Sequence, residues 1–326
     1  MIRLDQRSIT YLWYPIVAGV LASLPMFLNA YWVDVLNSVG LYAILGISLN
    51  LIVGHAGLFN LGHAAFYAVG AYTAAILNTK FQIPVMWLMP LCAIAAGSFA
   101  LLIARPIIHL RGDYLCIVTI GVGEIVRIAL INNIFGITGG ANGIFGIGRP
   151  SVFGFVIRKP HEFFYLIWIF LAFTIFVFRR LKHSRFGRAL NYLREDDVAA
   201  EGSGINVSHY KLAAFVVGAA WAGMAGNIFA AKMTTISPES FSFWESVLVF
   251  TLIILGGSGN NAGVLLGAFL IVGLPELFRD FANARMLVFG AAMVLMMIFR
   301  KGGILPAPQR KYKLAGVTGG QGEGRG

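Results

Sequence analysis

The sequence predicts an all-α polytopic membrane protein with about ten transmembrane helices. Two observations carry this. Hydrophobic residues make up 58% of the chain and charged residues only 12%, with a mean hydropathy of +0.78. A soluble domain holds about 25% charged and about 45–50% apolar residues, so a soluble globule is excluded. Apolar runs of about 20 residues also recur along the chain, the length needed to cross a bilayer core of roughly 30 Å.

Taken in order, the predicted spans are 11–28, 35–53, 58–77, 84–104, 114–131, 162–179, 212–231, 244–257, 262–279 and 285–299. The first follows Arg3 and Arg7 and could be a signal peptide, but no small-x-small cleavage site follows it. The eighth is short and ends at glycine, the pattern of a broken helix. With the N-terminus placed inside and the spans alternated, inside loops hold 17 of the 25 Lys and Arg residues and outside loops hold 7. Arg127 lies within a span. This bias predicts that both termini and the long polar stretch 179–211 are cytoplasmic. It also explains the net charge of +11 without any nucleic-acid partner. Residues 1–315 read as one transmembrane domain, and the Gly-rich residues 316–326 as a disordered cytoplasmic tail. Cys92 and Cys116 fall in apolar runs and read as core thiols.

Small residues recur at helical spacing. Gly218, Ala222 and Gly226 are four apart, as are Gly263 and Gly267, Ala64 and Ala68, and Ala71 and Ala75. Such stripes let helix backbones approach closely in lipid, so they build the bundle and do not choose a substrate. Polar residues inside the spans are fewer. Asn50, Asn60 and His63 flank a short turn at Gly54–Gly57, and Thr119 and Glu124 lie in the fifth span. Polar groups at that depth must be paired or face a cavity. These five are therefore candidates for lining a translocation path. For Asn50, Asn60 and His63 the alternative is locking one helix to another. For Glu124 it is an internal ion pair with Arg127, three residues on. His55 and His63 have no carboxylate or thiolate beside them, which speaks against a metal site.

Enzyme motifs are missing. The glycine-rich stretches Thr138–Gly148 and Gly256–Gly263 are not followed by Lys-Ser or Lys-Thr, so neither is a nucleotide P-loop. The sequence has no HExxH, no CxxC pair and no nucleophile elbow.

The stretch 179–211 is the longest polar interruption between apolar blocks and carries seven basic and four acidic residues. Asp196 or Asp197 can cap a short helix there. Ala199 and Ala200 keep that helix narrow, and Gly202 or Gly204 can stop it in a left-handed turn. Such a helix can insert into a groove on a soluble partner. The plain alternative is a solvated loop.

Four segments resemble the branched-chain amino acid ABC transporter permeases: GHAGLFNLGHAAFYAVGAYTAAIL from Gly54, RGDYLCIVTIGVGEIVRI from Arg111, TGGANGI from Thr138, and FGRALNYLREDDVAAEGSGINVSHYKLAAFV from Phe186. They recur in the family's order, with spacings nearer its LivM-type than its LivH-type subunit. The resemblance implies a vitamin B12 permease-like importer fold in the bacterial inner membrane. It implies four kinds of partner: lipid, a second, LivH-type permease subunit, two cytoplasmic ATPase subunits and a periplasmic substrate-binding protein. ATP and Mg would be bound by the ATPases, with no cofactor on this chain. Glu195, Asp196, Asp197, Ala199, Ala200, Glu201 and Gly204 match the family's segment that docks on an ATPase, although EGSGIN departs from the usual E-x-L-G-I-N. Urea and short-chain amide permeases share these motifs and remain an alternative. An ion-coupled secondary transporter is a second alternative; it would need buried carboxylates, for which Glu124, Glu245 and Glu276, in or next to spans, are the candidates.

Overall fold

The computed structural model describes residues 23–110, 112–152, 155–277 and 302–306, with the single positions 290 and 294. Most of the predicted first span, the end of the ninth, the tenth and the tail 316–326 lie outside the described residues.

Among the described residues these α-helices follow one another: α1 Ala30–Asn50, α2 His63–Phe81, α3 Met89–Ile107, α4 Asp113–Ile131, α5 Pro160–His183, α6 Arg185–Glu195, α7 Asp197–Gly202, α8 Val207–Met233, α9 Phe243–Gly256 and α10 Asn261–Ala268, with a last short one at Leu274–Leu277. A π-turn, Leu51–His55, extends α1, and a second, Phe269–Gly273, extends α10. Among the described residues six helices are long and apolar enough to cross a membrane: Ala30–His55, Val85–Ile107, Asp113–Ile131, Pro160–His183, Val207–Met233 and Pro238–Gly256. The 19-residue α2 is as long as α4, and Asn261–Leu277 is a shorter apolar helix. The expected broken helix at 244–257 is unbroken from Phe243 to Gly256, and Gly257 ends it at φ 118°.

Helix α8 is the centre of the bundle and packs on α2, α3 and α1. The small residues make this possible. A Cβ on Gly70 would strike the backbone of Gly223, one on Gly223 the carbonyl of Cys92, and one on Gly226 the carbonyl of Tyr67. Three backbones therefore meet with no side chain between them. Gly223→Leu is expected to lower the melting temperature of the purified chain in detergent, because overpacking costs about 1–3 kcal/mol. An unchanged melting curve would contradict this packing. Helix α4 is the opposite case. Only 11% of its most apolar stretch is buried, against 78% for α1, so it forms an edge.

The loops that charge assigns to one side gather at one end. There, Lys182 Nζ donates to the Gly259 carbonyl at 2.9 Å, and residues 302–306 pair with the end of α9 through Ile304 N–H to Leu255 O at 3.0 Å. At the other end, β1 (Ile144–Phe145) pairs antiparallel with β2 (Thr235–Ile236). There too Lys232 meets Asp34 at 2.9 Å, and Asn78 accepts from Gly148 N–H at 2.6 Å.

The predicted span 58–77 starts later than expected. Residues 56–62 are not helical, and α2 begins at His63. Gly57 takes a left-handed φ of 70°. Leu61 N–H donates to Thr119 Oγ1 at 3.2 Å and Gly62 N–H to Asn60 Oδ1 at 3.0 Å. Non-helical backbone at this depth is tolerated because protein covers it and satisfies its polar groups.

Candidate functional site

Helices α6 and α7 form a bracket at the end that holds Gly259. Ser184 caps α6 by accepting from Gly187 N–H at 3.3 Å. Asp196 caps α7, its Oδ1 accepting from Val198 N–H at 2.8 Å and Ala199 N–H at 3.1 Å. Gly204, at φ 80°, takes the left-handed turn after it, and Asn206 caps α8 by accepting from His209 N–H at 3.1 Å. Each stop and start thus has a residue whose chemistry requires it.

The bracket is bolted to three elements. Arg194 donates to the Gly54 carbonyl at the end of α1 and to Ser258 Oγ in the turn after α9. His55 Nδ1 lies 3.2 Å from Asn191 Oδ1. Asp197 accepts from Lys211 Nζ of α8, a pair whose side chains are 23% and 9% exposed. A cleft of ≈ 680 Å³ lies between this pair and the end of α3 at Ile108 and His109.

The seven residues expected to dock divide by side. Glu195, Asp196, Ala199, Glu201 and Gly204 are exposed, with Val198 at 67% beside them. Ala200 is buried, so it seats α7 on the body and is not part of its outer face. Asp197 is turned inward to Lys211.

Of the five membrane candidates, Asn60, His63 and Thr119 gather at the 56–62 segment and the start of α2, while Asn50 and Glu124 make their contacts elsewhere. Asn50 is fully buried and tethers α1 to the turn after α9, its Oδ1 accepting from Gly259 N–H at 2.8 Å. Buried His63 pairs through Nε2 with Ser48 Oγ at 2.8 Å. Asn60 and Thr119 are buried and brace the 56–62 segment. Glu124 does pair with Arg127, at 2.9 Å, and Arg127 also reaches Glu239 at 3.5 Å. That cluster is part-exposed at 34% and 25%, on the edge helix. Among the described residues no group of His, Cys, Asp and Glu is placed to hold a metal.

The family model for the permease component of branched-chain amino acid transport systems matches residues 31–297. The chain belongs to that permease family. This permease is 41% identical over 322 residues to the high-affinity branched-chain amino acid transport system permease protein LivM of Escherichia coli K12, covering 91% of this chain and 76% of the relative. It is 26% identical to the probable LivM of Methanocaldococcus jannaschii, over 86% of this chain and 96% of that one. It is 27% identical to LivH of Salmonella typhimurium, over 82% and 92%. No solved structure matches.

Sequence reasoning about the permease missed the Asp197–Lys211 pair and the grip of Arg194. The available signal was a lysine opening an apolar span, which needs a partner once it is drawn into the bundle.

Proposed function

We propose that this chain is one permease subunit of an ATP-driven importer of branched-chain amino acids in a bacterial inner membrane. In this reading residues 1–315 form a ten-helix, vitamin B12 permease-like domain with both termini in the cytoplasm, and residues 316–326 form a tail. The observation that carries the coupling role is the capped helix α7, which offers an exposed face and is tied from behind to α1, the α9–α10 turn and α8. A motor pushing on that face would move three elements at once.

The chain has no nucleotide motif, so the energy reaches it through partners. One of two ATPase subunits holding ATP and Mg would dock on Glu195, Asp196, Val198, Ala199, Glu201 and Gly204. A second, LivH-type permease subunit would complete the bundle against α4, the least covered of the long helices. A loaded periplasmic binding protein would dock at the opposite end, near Thr138–Ile144. Rocking between outward-open and inward-open states then follows from ATP-dependent closure of the motors.

The test is reconstitution of the chain with these partners in liposomes. ATP-dependent leucine uptake is expected, with no effect of a proton or sodium ionophore. Uptake by the chain alone that collapses with an ionophore would instead make it a secondary transporter. Uptake of urea or acetamide in place of leucine would move it to the amide branch.

A further inference from the structure

The outer side of α5 is an apolar stripe that ends in a basic corner. Ile169, Phe173 and Phe176 follow at steps of four and three residues, so they share one helix face, and they are 69%, 51% and 58% exposed. Ile167, on the other side of the helix, packs against Gly40 of α1. An exposed aromatic stripe on a helix of spanning length faces hydrocarbon. Arg180 is exposed one turn after Phe176, with its Cζ 5.6 Å from the centre of the Phe176 ring. The ring attracts the guanidinium and holds it at the end of the stripe.

Two more arginines come to the same corner. Helix α5 ends at His183 and α6 starts at Arg185. Arg185 and Arg188 are both exposed, and Arg188 Nη1 donates to the His183 carbonyl at 2.9 Å, which turns its guanidinium back toward the end of α5. The sequence has no aspartate or glutamate between Glu162 and Glu195. The two arginines do not serve α6 itself, because cations in a first turn oppose the helix dipole. Lys182 is not part of the patch, since it turns to the Gly259 carbonyl.

We propose that the corner of α5 and α6 binds an anionic phospholipid of the cytoplasmic leaflet, its phosphate among Arg180, Arg185 and Arg188 and an acyl chain along Ile169, Phe173 and Phe176. One molecule complements both parts, an anionic head beside the arginines and an apolar tail beside the stripe. Each arginine close to an anionic lipid surface raises affinity about fivefold. The corner is also the root of the bracket that carries α7, so a seated lipid ties the coupling segment to the membrane surface. The proposal takes from the transport reading only the side on which the corner lies.

The experiment titrates the detergent-solubilised complex of the full chain and its partner permease with dioleoyl-phosphatidylglycerol or with zwitterionic dioleoyl-phosphatidylcholine, and reads bound lipid by native mass spectrometry. The wild type is expected to prefer phosphatidylglycerol. Arg180→Gln, Arg185→Gln and Arg188→Gln together are expected to cut that preference at least about tenfold. Arg105→Gln, at an exposed arginine in the last turn of α3, is expected to leave it unchanged. Phe173→Ala with Phe176→Ala is expected to weaken both lipids alike. Inorganic phosphate in large excess is expected to leave the lipid seated, because it offers nothing to the stripe. Equal binding of the two lipids by the wild type overturns the proposal and leaves the stripe to a protein partner. An unchanged preference in the triple variant, a loss as large in Arg105→Gln, or full displacement by phosphate also overturns it. If the triple variant fails to assemble, Arg185→Gln alone decides, and an unchanged preference again overturns the proposal. Binding is read without import, so failure of the transport reading would leave this result intact.

Discussion

Replacing Val198 and Ala199 together with arginine is expected to abolish ATP-driven uptake without changing the thermal unfolding of the chain. Both side chains are on the exposed face of α7, so the bundle has nothing to lose. Surface changes of this kind stay within about 0.5 kcal/mol. The docking partner loses a small, flat surface and meets two bulky charges. Losing about 1.4 kcal/mol of docking free energy already weakens the contact tenfold, and a clash at a helix seated in a groove exceeds that. The check is paired: uptake in liposomes, and co-purification of the ATPase subunits. Wild-type uptake by the double variant would remove α7 from the coupling role. Ala200→Arg is a poorer probe, because Ala200 is buried and the substitution would unseat α7 itself.

The second large effect comes from the pair behind that helix. Asp197→Asn leaves Lys211, 9% exposed, without its counter-charge. Breaking a buried pair by removing one partner costs about 3–5 kcal/mol; the lower end applies here because Asp197 is not fully enclosed. The expected result is a lower melting temperature together with ATP hydrolysis that no longer drives uptake. Lys211→Met in the same chain should recover most of the stability, since no charge is then stranded, yet not the coupling. A double-mutant cycle on melting and uptake measures both. Full recovery of uptake in the double variant would show that the pair holds α7 in place without transmitting its movement.

The helices were legible because apolar runs of spanning length allow few other readings. The start of α2 was not. Leu58, Phe59 and Leu61 look like the beginning of a span, yet Gly57 turns the chain and Thr119, from a distant helix, takes the hydrogen bond of Leu61. Nothing local to residues 56–62 encodes that partner. The cap on α7 could be read from composition alone, because a carboxylate before small residues has one strong local use. The spacing of Glu124 and Arg127 likewise announced their pair, while Glu239 joins it from another loop and left no trace in the pattern. Asn50 shows the limit most clearly. A buried amide in a span can line a path or tie a knot, and only the position of Gly259, more than two hundred residues away, decides for the knot.

The strand pair Ile144–Phe145 with Thr235–Ile236 stitches the loop after α4 to the loop before α9. Arg127, near the end of α4, reaches Glu239 in the loop before α9 and adds a second stitch beside the first. The far mouths of these helices are therefore hinged into a single plate. Spreading the two apart on that side would have to break both the strand pair and the Arg127–Glu239 contact.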